Sequence, residues 1–421
     1  IIMSGPVANN IFRSSGVVVA AAGGLSWQPV VTASTLSASA GNGYWINTTS
    51  NACTITLPGS AEAGDQIIFV DYARTWGTNA IIIDSNGLNF QGEDDTYTVD
   101  YDTSGQAVNL VYSGATIGWT PSSDIVNALE PVGPTQAIFA YGATSSPVSV
   151  SNKVSTSGVV ASDTTGVGTA RVNVAGAEYG GDKGIFGFGN NSGGRTAVTN
   201  LVSNSGVVAS DTSGVGNPNS GIAATRYGGD KAIFGFGSIT DGVGTKVSTT
   251  NLVSNSGVVA SNTTGVGTAR SFTAAAGYGI DKALFGYGQT SPSLSMTNLV
   301  SNTGVVSSDT TGVGTARHYL AAASYGTDKA LFGYGLETSN RLSMTNLVSN
   351  SGVVATDTTG VGTARYYLEA AGYGFGQAIF GFGNSGSLTN ISNLVNSSGV
   401  VGNDVTGVGT SREGLGATSF G

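Results

Sequence analysis

Ala330-Leu331-Phe332-Gly333-Tyr334-Gly335 is one of six near-copies of a single hexapeptide in this chain. The central phenylalanines are Phe139, Phe186, Phe234, Phe285, Phe332 and Phe380, so the copies lie 47 to 51 residues apart. A period of this length indicates one supersecondary unit repeated along the chain. Long amphipathic helical stretches are missing from the sequence, whereas sheet repeats of this length build propeller blades, so the period predicts a β-propeller.

Residues 312–365 illustrate one repeat, with short apolar runs separated by turn residues. The predicted strands are a (318–326), b (330–335), c (343–349) and d (353–357). Alternation along strand b predicts that Phe332 and Tyr334 point to one face, while Leu331, Gly333 and Gly335 point to the other. A face reduced to glycine weakens a strand unless bulky groups of a neighbouring sheet pack against it. The motif therefore predicts stacked sheets.

The two ends of the repeat region are complementary. The first repeat begins at strand b with Gln136 and has no strand a before it, whereas the chain stops after an unpaired strand a at 412–421. Pairing of these two segments would remove an exposed sheet edge. We therefore expect an all-β chain whose residues 131–421 form a six-bladed propeller of four-stranded blades, closed by its terminal strands.

Two charged motifs recur with the repeat. An arginine closes Gly-Val-Gly-Thr-Ala-Arg or its variant at Arg171, Arg270, Arg317, Arg365 and Arg412, and alignment places Asn219 in the same position. We expect these arginines to donate hydrogen bonds to carbonyl groups at blade ends, the alternative being a central anion-binding ring. Asp-Lys precedes strand b at 182–183, 230–231, 281–282 and 328–329, and is interpreted as a hairpin-turn pair.

These features resemble the Kelch-type propeller. That family's repeat has an apolar strand ending in glycines, a strand ending in Asp and a closing Arg; Asp309, Asp357 and the Thr-Ala-Arg motif match loosely. The family's Trp after the Asp is absent from these repeats. The resemblance covers about 290 residues and implies the fold without naming a partner.

Residues 1–130 do not repeat. Alternating segments at 44–49, 52–58, 66–72, 80–84 and 108–113 predict strands of a small β-sandwich, so residues 36–130 are expected to be this module with its linker. Cys53, the only cysteine, lies in one of these segments and is expected to be a small buried residue.

The module resembles one found in tail fibres and other structural proteins of marine, cyanophage-like bacteriophages. The segments that carry the resemblance are Gly43-Tyr-Trp-Ile-Asn-Thr-Thr49, Ile55-Thr-Leu-Pro58, Ala63-Gly-Asp-Gln-Ile67, Asp71-Tyr-Ala73, Asn109-Leu-Val-Tyr112 and Gly118-Trp119. The resemblance implies a virion appendage, often trimeric, with residues 1–35 as an N-terminal docking arm. All four tryptophans lie in this part, which favours an interface with other copies and other virion proteins.

Composition argues against several functions. The net charge is −9 with no basic patch, so we expect no nucleic-acid partner. The apolar stretch at 16–24 is too short to cross a bilayer, so we expect no membrane insertion. His318 is the only histidine, and because the other repeats have no equivalent histidine, the repeat pattern does not mark it as the base of a catalytic triad. Glu178, Glu337 and Glu369 are scattered acids rather than a placed pair. We therefore expect no enzyme activity, no cofactor and no metal.

The loops between strands b and c differ in every repeat, whereas the a–b and c–d turns barely change. In an up-and-down blade all b–c loops emerge on one face, where a rigid scaffold can present a recognition surface. The alternative is that nothing constrains these loops. The candidate receptor-contact residues are Ser238, Thr240, Asp241, Lys246, Glu337, Asn340 and Arg341.

The sequence therefore predicts a structural protein of a bacteriophage virion, in a tail fibre or similar appendage, that attaches to a host-surface glycan. We expect a homotrimer bound to other virion proteins through its N-terminal region. Two alternatives stay open: a purely structural neck, collar or capsid-decorating protein, and a carbohydrate-active propeller enzyme.

Overall fold

The computed structural model describes residues 11–14, 17–20, 25–94, 99–123, 134–240 and 244–421. All named elements in these ranges are β-strands, which confirms the predicted all-β class. The chain divides into two compact units, an N-terminal domain (Ile1–Pro131) and a repeat domain (Val132–Gly421). Within the described ranges, no helix is long and apolar enough to span a membrane.

The N-terminal domain consists of a hairpin and two packed sheets. Its strands are β1 (Ile11–Ser14), β2 (Val17–Ala20), β3 (Ser26–Trp27), β4 (Thr35–Ser37), β5 (Asn42–Ile46), β6 (Cys53–Thr56), β7 (Gln66–Asp71), β8 (Ile81–Asp84), β9 (Val99–Tyr101), β10 (Ala107–Tyr112) and β11 (Trp119–Pro121). The sheets have the orders β11-β10-β7-β5-β3 and β4-β6-β8-β9, and strands of both contribute to one core.

The chain winds between these two sheets. Strands β3, β5 and β7 pair in parallel in one sheet, while β4, β6 and β8 pair in parallel in the other. Strands β9 to β11 then return antiparallel. The alternating sequence identified five of the strands but not this parallel coiling, because alternation fixes which side chains face the core and not which strands pair.

The tryptophans fall into two groups. Trp76 and Trp119 are fully buried in the core, as is Cys53 at 1% exposure, which confirms the interpretation of the cysteine. Trp27 is 46% exposed and stacks on Trp45 with ring centroids 4.4 Å apart. Because Trp27 lies on β3, the sheets extend into the segment 1–35 that was expected to be a docking arm. The first ten residues of that arm lie outside the described residues.

The repeat domain contains six three-stranded antiparallel sheets and a short extra hairpin. Its strands are β12 (Gln136–Ala140), β13 (Ser151–Val154), β14 (Ala175–Tyr179), β15 (Lys183–Gly187), β16 (Asn190–Asn191), β17 (Gly194–Arg195), β18 (Thr199–Val202), β19 (Ala223–Tyr227), β20 (Lys231–Gly235), β21 (Thr250–Val253), β22 (Ala274–Tyr278), β23 (Lys282–Gly286), β24 (Thr297–Val300), β25 (Ala321–Tyr325), β26 (Lys329–Glu337), β27 (Asn340–Val348), β28 (Glu369–Tyr373), β29 (Gln377–Gly381), β30 (Ser392–Val395) and β31 (Gly416–Phe420). Each sheet has the predicted order a–b–c, for example β25-β26-β27 in repeat 5.

Repeat 1 obtains its strand a from the far end of the sequence. β31 pairs antiparallel with β12, from Gln136 opposite Phe420 to Ala140 opposite Gly416. The amide of Thr135 also donates to the carbonyl of Gly421 at 2.7 Å. The expected pairing of the terminal strands is therefore present.

The predicted fourth strand is not regular. In repeat 5, segment d is held to β27 by two bridges, Val348 with Val354 and Thr345 with Thr358, and all six repeats share this pattern. The two bridged residues lie three positions apart on strand c but four positions apart on segment d. Segment d therefore carries one extra residue and bulges out of the ladder. The prediction of regular four-stranded sheets is therefore wrong: each repeat has three strands and a bulged fourth segment.

Strand b also departs from simple alternation. Tyr334 has φ of 62°, and the equivalent residues Tyr141, Phe188, Phe236, Tyr287 and Phe382 have φ between 61° and 66°. This left-handed residue turns its side chain to the opposite face. Phe332 accordingly packs on Tyr287 of the preceding repeat, while Tyr334 packs on Phe380 of the following one. The prediction that Phe332 and Tyr334 share a face is wrong.

The glycine face is covered by bulky groups of a neighbouring sheet, as predicted, and this sheet belongs to the next repeat. A Cβ on Gly333 would lie 2.6 Å from the ring of Phe380, and Gly187, Gly235, Gly286 and Gly381 show the same close approach to the next phenylalanine. The resulting aromatic pairs run through all repeats: Tyr141–Phe186, Phe188–Phe234, Phe236–Phe285, Tyr287–Phe332, Tyr334–Phe380 and Phe382–Phe139. The last pair joins repeat 6 to repeat 1.

Backbone hydrogen bonds between a–b turns follow the same cyclic order. The donor and acceptor residues are Gly180 to Asp230, Gly228 to Asp281, Gly279 to Asp328, Gly326 to Gly376, Gly374 to Thr135, and Gly421 to Asp182. Each bond links one repeat to the next, and the last two pass through repeat 1 back to repeat 2. These turns form the uniform face of the domain, opposite the b–c loops.

Candidate binding site on the loop face

The recurrent arginines hold adjacent repeats together. Arg317 is fully buried, its Nε donates to the carbonyl of Tyr334 at 2.8 Å, and its guanidinium lies 4.4 Å from the ring centroid of Tyr287. Arg270, Arg365 and Arg412 make the same bond to the end of strand b. The expected hydrogen bonding to strand-end carbonyls is confirmed for these four arginines, whereas the Nε of Arg171 makes no such bond. Because all five guanidinium groups are buried, they do not form an exposed anion-binding ring.

Each buried arginine has an acidic neighbour. Asp357 lies 3.8 Å from Arg317 and accepts from the hydroxyl of Thr315 at 2.7 Å. Burial alone would raise the pKa of Asp357. Hydrogen bonds from Thr315 and Asn346, together with the charge of Arg317, lower it by more, so the pKa of Asp357 is below its ordinary value. The carboxylate is therefore ionised and balances the buried cation.

Repeat 3 replaces both partners. Asn219 stands in the arginine position and donates to the carbonyl of Phe236 at 2.6 Å, while Asn262 stands in the aspartate position. The backbone amide of Asn217 points to Asn262 Oδ1 at 3.4 Å. The cation and the anion are thus lost together, as expected when one buried charge depends on the other.

The Asp-Lys motifs belong to the uniform face. Lys231 pairs with Asp230 at 2.9 Å, and Asn255 of the c–d turn donates to the other oxygen of Asp230 at 3.0 Å. Asn302 and Asn350 make equivalent bonds in repeats 4 and 5. The motif therefore ties two turns of one repeat together, in agreement with its interpretation as a hairpin-turn pair.

The b–c loops lie at the other end of the strands and differ in structure. Repeat 2 carries the β16–β17 hairpin, and repeat 5 extends β26 and β27 into a longer one. Repeats 1, 4 and 6 have short loops closed by one bridge each. Each loop base is bridged to the residue after the arginine position, for example Leu336 to His318 and Asn384 to Tyr366. The segment that leads into strand a and the variable b–c loop therefore lie on the same face of the domain.

Six residues at this face form what we call the mouth. They lie two positions after the arginine position in each repeat: Asn173, Gly221, Phe272, Tyr319, Tyr367 and Gly414. All have φ between 53° and 60° and line one pocket. Backbone amides join them in sequence, from Gly414 to Tyr367, Tyr367 to Tyr319, Tyr319 to Phe272, Phe272 to Gly221, and Asn173 to Gly414. The mouth has the same backbone in every repeat but different side chains.

Three consecutive repeats place aromatic rings there. Phe272 lies 4.2 Å from Tyr319, and Tyr319 lies 3.8 Å from Tyr367, measured between ring centroids. Tyr366 adds a fourth ring at 5.2 Å from Tyr367. The other half of the mouth has only Asn173, Gly221 and Gly414, so the aromatic rings are confined to one side of the pocket.

Polar groups surround this aromatic cluster. The side chains of Tyr367 and Gln289 lie close enough to the Tyr319 hydroxyl to influence its pKa. His318 Nδ1 lies 2.9 Å from Ser293 Oγ, and Asn384 donates to Glu413 at 2.9 Å. These bonds fix the orientation of groups that can donate to or accept from a ligand.

Burial keeps two ionisable groups near the mouth neutral. Desolvation lowers the pKa of His318 to about 4 and raises the pKa of Glu369, which lines the pocket, to about 8. At neutral pH the imidazole is therefore uncharged and the Glu369 carboxyl is protonated. Such a lining suits hydrogen bonding to an uncharged polar molecule better than binding of an ion.

The residues expected to contact a receptor are distributed over two loops. Ser238 and Lys246 form the base of the repeat 3 loop; Ser238 is buried and Thr240 Oγ1 accepts from the Thr245 amide, while Asp241 lies outside the described residues. Glu337 and Asn340 pair at the tip of the repeat 5 hairpin. The structure brings Arg341 to 5.7 Å from the ring of Tyr366, beside the aromatic cluster.

The mouth residues themselves were missed in the sequence. Their signal was available, because the position two after each arginine is aromatic in three consecutive repeats. Among the residues that the structure describes, no cluster of three His, Cys, Asp or Glu side chains could hold a metal ion. Neither a protein-family model nor a curated protein matches this chain.

Proposed function

We propose that the repeat domain is a six-bladed β-propeller of Kelch-like type, closed by pairing of β12 with β31. The aromatic pairs, the turn-to-turn hydrogen bonds and the terminal pairing support this arrangement, because each set runs through the repeats in one cyclic order. A propeller also explains why both faces of each sheet are apolar.

In this proposal the chain is a structural protein of a bacteriophage virion, in a tail fibre or similar appendage, and its loop face attaches to a glycan on the host surface. The observation that carries the attachment role is the contrast between the two faces. The a–b turns repeat the same hydrogen bonds, whereas the b–c loops around the mouth take several forms: a separate hairpin in repeat 2, an extended hairpin in repeat 5, and loops closed by a single bridge in the other repeats. Rigid scaffolds with one variable face are typical of recognition proteins.

In this proposal the N-terminal domain mediates assembly. Its resemblance to phage fibre modules supports a homotrimer that docks on other virion proteins. The stacked pair of Trp27 and Trp45, with Trp27 46% exposed, offers an aromatic surface of the kind that interfaces use. Light scattering on the intact chain tests this part, with a trimer expected. A monomer would contradict it.

Labelling of phage particles tests the location. An antibody against the chain should bind an external appendage in negative-stain images, and particles without label would overturn the proposal. Particles whose six b–c loops are scrambled should adsorb to the host at least about tenfold less, which corresponds to about 1.4 kcal/mol. Labelled particles that adsorb normally would indicate a neck, collar or decorating protein. Release of sugar from host envelope by the purified chain would indicate an enzyme.

A further inference from the structure

We propose that the aromatic half of the mouth binds a neutral pyranose residue, an inference that builds on the attachment role proposed above. A pyranose presents a face of C–H groups and a rim of hydroxyls. Phe272, Tyr319 and Tyr367 offer aromatic surface for the C–H face. Gln289 and Glu413 lie close enough to these rings to meet the hydroxyls. Pockets of this kind combine apolar surface with a few placed polar groups.

The backbone geometry distinguishes a binding role of the aromatic side chains from a role in folding. The mouth position has positive φ in all six repeats, and Gly221, Gly414 and Asn173 adopt it at little cost. Bulky residues such as Phe272, Tyr319 and Tyr367 are strained there, by roughly 1–3 kcal/mol each. The fold therefore accepts small residues at this position, and the aromatic side chains reduce stability where they occur. Strain retained at a pocket points to a function that needs the side chains.

The arrangement of small and aromatic residues leaves space for a ligand. The aromatic residues belong to repeats 4, 5 and 6, whereas Gly414, Asn173 and Gly221 belong to repeats 1, 2 and 3. All six line the same pocket. One side of the pocket therefore carries the aromatic surface, and the other side carries short side chains, with the edge of the Phe272 ring next to Gly221.

The charges favour a neutral sugar over an acidic one. Glu369 lines the pocket and Glu413 lies within electrostatic reach of Tyr319 and Tyr367. The chain as a whole carries a net charge of −9. Carboxylate or phosphate groups of a ligand would meet the negative charge of Glu413 and of the chain as a whole, whereas sugar hydroxyls can donate hydrogen bonds to the carboxyl oxygens of Glu413 and of the protonated Glu369.

Saturation-transfer NMR on the intact chain tests the site. The probes are methyl glucoside, methyl galactoside and N-acetylglucosamine, with glucuronic acid as the acidic comparison. At least one neutral probe should give a signal, and the double variant Tyr319→Gly, Tyr367→Gly should reduce it at least tenfold. This variant should fold, because glycine already occupies the same position at Gly221 and Gly414 with the same backbone. Phe375→Ser, on an exposed a–b turn of the uniform face, is the matched control.

Three results would overturn the inference: no signal from any neutral probe, a signal that survives in a folded double variant, or a signal from glucuronic acid alone. Melting curves of the variants establish that they fold. If the antibody labels virions but no neutral sugar gives a signal, this site is rejected and the proposed attachment role of the protein still stands. A sugar signal that depends on Tyr319 and Tyr367, without label on particles, would reject the virion role and leave the sugar site in place.

Discussion

Phe382 of the last repeat packs edge-to-face on Phe139 of the first, with ring centroids 5.3 Å apart and an interplanar angle of 61°. The five other aromatic pairs between adjacent repeats have centroids 5.0 to 5.5 Å apart. The junction between the ends of the repeat domain is thus packed like every internal junction. No weaker seam is visible at this contact.

Deletion of residues 416–421 should destabilise the chain strongly. It removes β31 and the fully buried Phe420, and it exposes the edge of β12. Loss of one buried phenylalanine alone costs about 3–5 kcal/mol. We expect the melting temperature of the repeat domain to fall by about 10 °C. Calorimetry measures it; an unchanged transition would show that the terminal pairing contributes nothing.

The arginine–aspartate pair should behave as a coupled unit. Arg317→Asn and Asp357→Asn each remove one partner of an ion pair whose arginine is fully buried and whose aspartate is partly exposed, and each should cost about 2 kcal/mol. The double variant copies the natural pair Asn219 and Asn262 of repeat 3, so it should lose clearly less than the sum. Urea unfolding of all four proteins gives the coupling free energy. Strict additivity would contradict the coupling.

The glycine face should be intolerant of a single methyl group. Gly333→Ala places a Cβ 2.6 Å from the Phe380 ring and should destabilise the domain by about 1–3 kcal/mol. Gly402→Ala is the control, because its nearest neighbour would be 3.4 Å away, at ordinary contact distance. Chemical denaturation compares the two. Equal stability of both variants would mean that the repeats do not pack as described.

Stability should fall with rising pH through Glu369. Its pKa is about 8 in the folded chain, raised by burial, against an ordinary value of 4.5. Between these values the folded state holds a proton that the unfolded state has lost, so the free energy of unfolding decreases as pH rises, by at most about 1.4 kcal/mol per pH unit. Glu369→Gln stays neutral and should remove this slope. Parallel profiles for both proteins from pH 5 to 9 would refute the assignment.

The sequence predicted those features of both domains that depend on local pattern. The order of strands a, b and c, the burial of Cys53, the packing on Gly333 and the supply of strand a by residues 416–420 all follow from periodicity and turn residues. The bulge in segment d and the reversed side chain of Tyr334 did not follow. Both depend on backbone angles that tertiary contacts impose on residues of ordinary propensity.

The candidate site was predicted only in part. The variable loops lie on the same face as the mouth, and Arg341 lies next to an aromatic ring of the cluster. Phe272, Tyr319 and Tyr367 recur at one position of the repeat, but they were missed because they lie far apart in sequence, each at the start of what looks like an ordinary strand. Only the cyclic arrangement of the repeats brings them together.

The uniform backbone of the mouth has a consequence for the evolution of specificity. Because six equivalent positions share one backbone conformation, small residues can replace the aromatic ones without a change of backbone. In the proposed attachment role, related chains can therefore change the ligand they bind through loss or exchange of aromatic side chains at these positions. A comparison of homologues should show rapid change at Phe272, Tyr319 and Tyr367 beside invariant arginines in the same repeats.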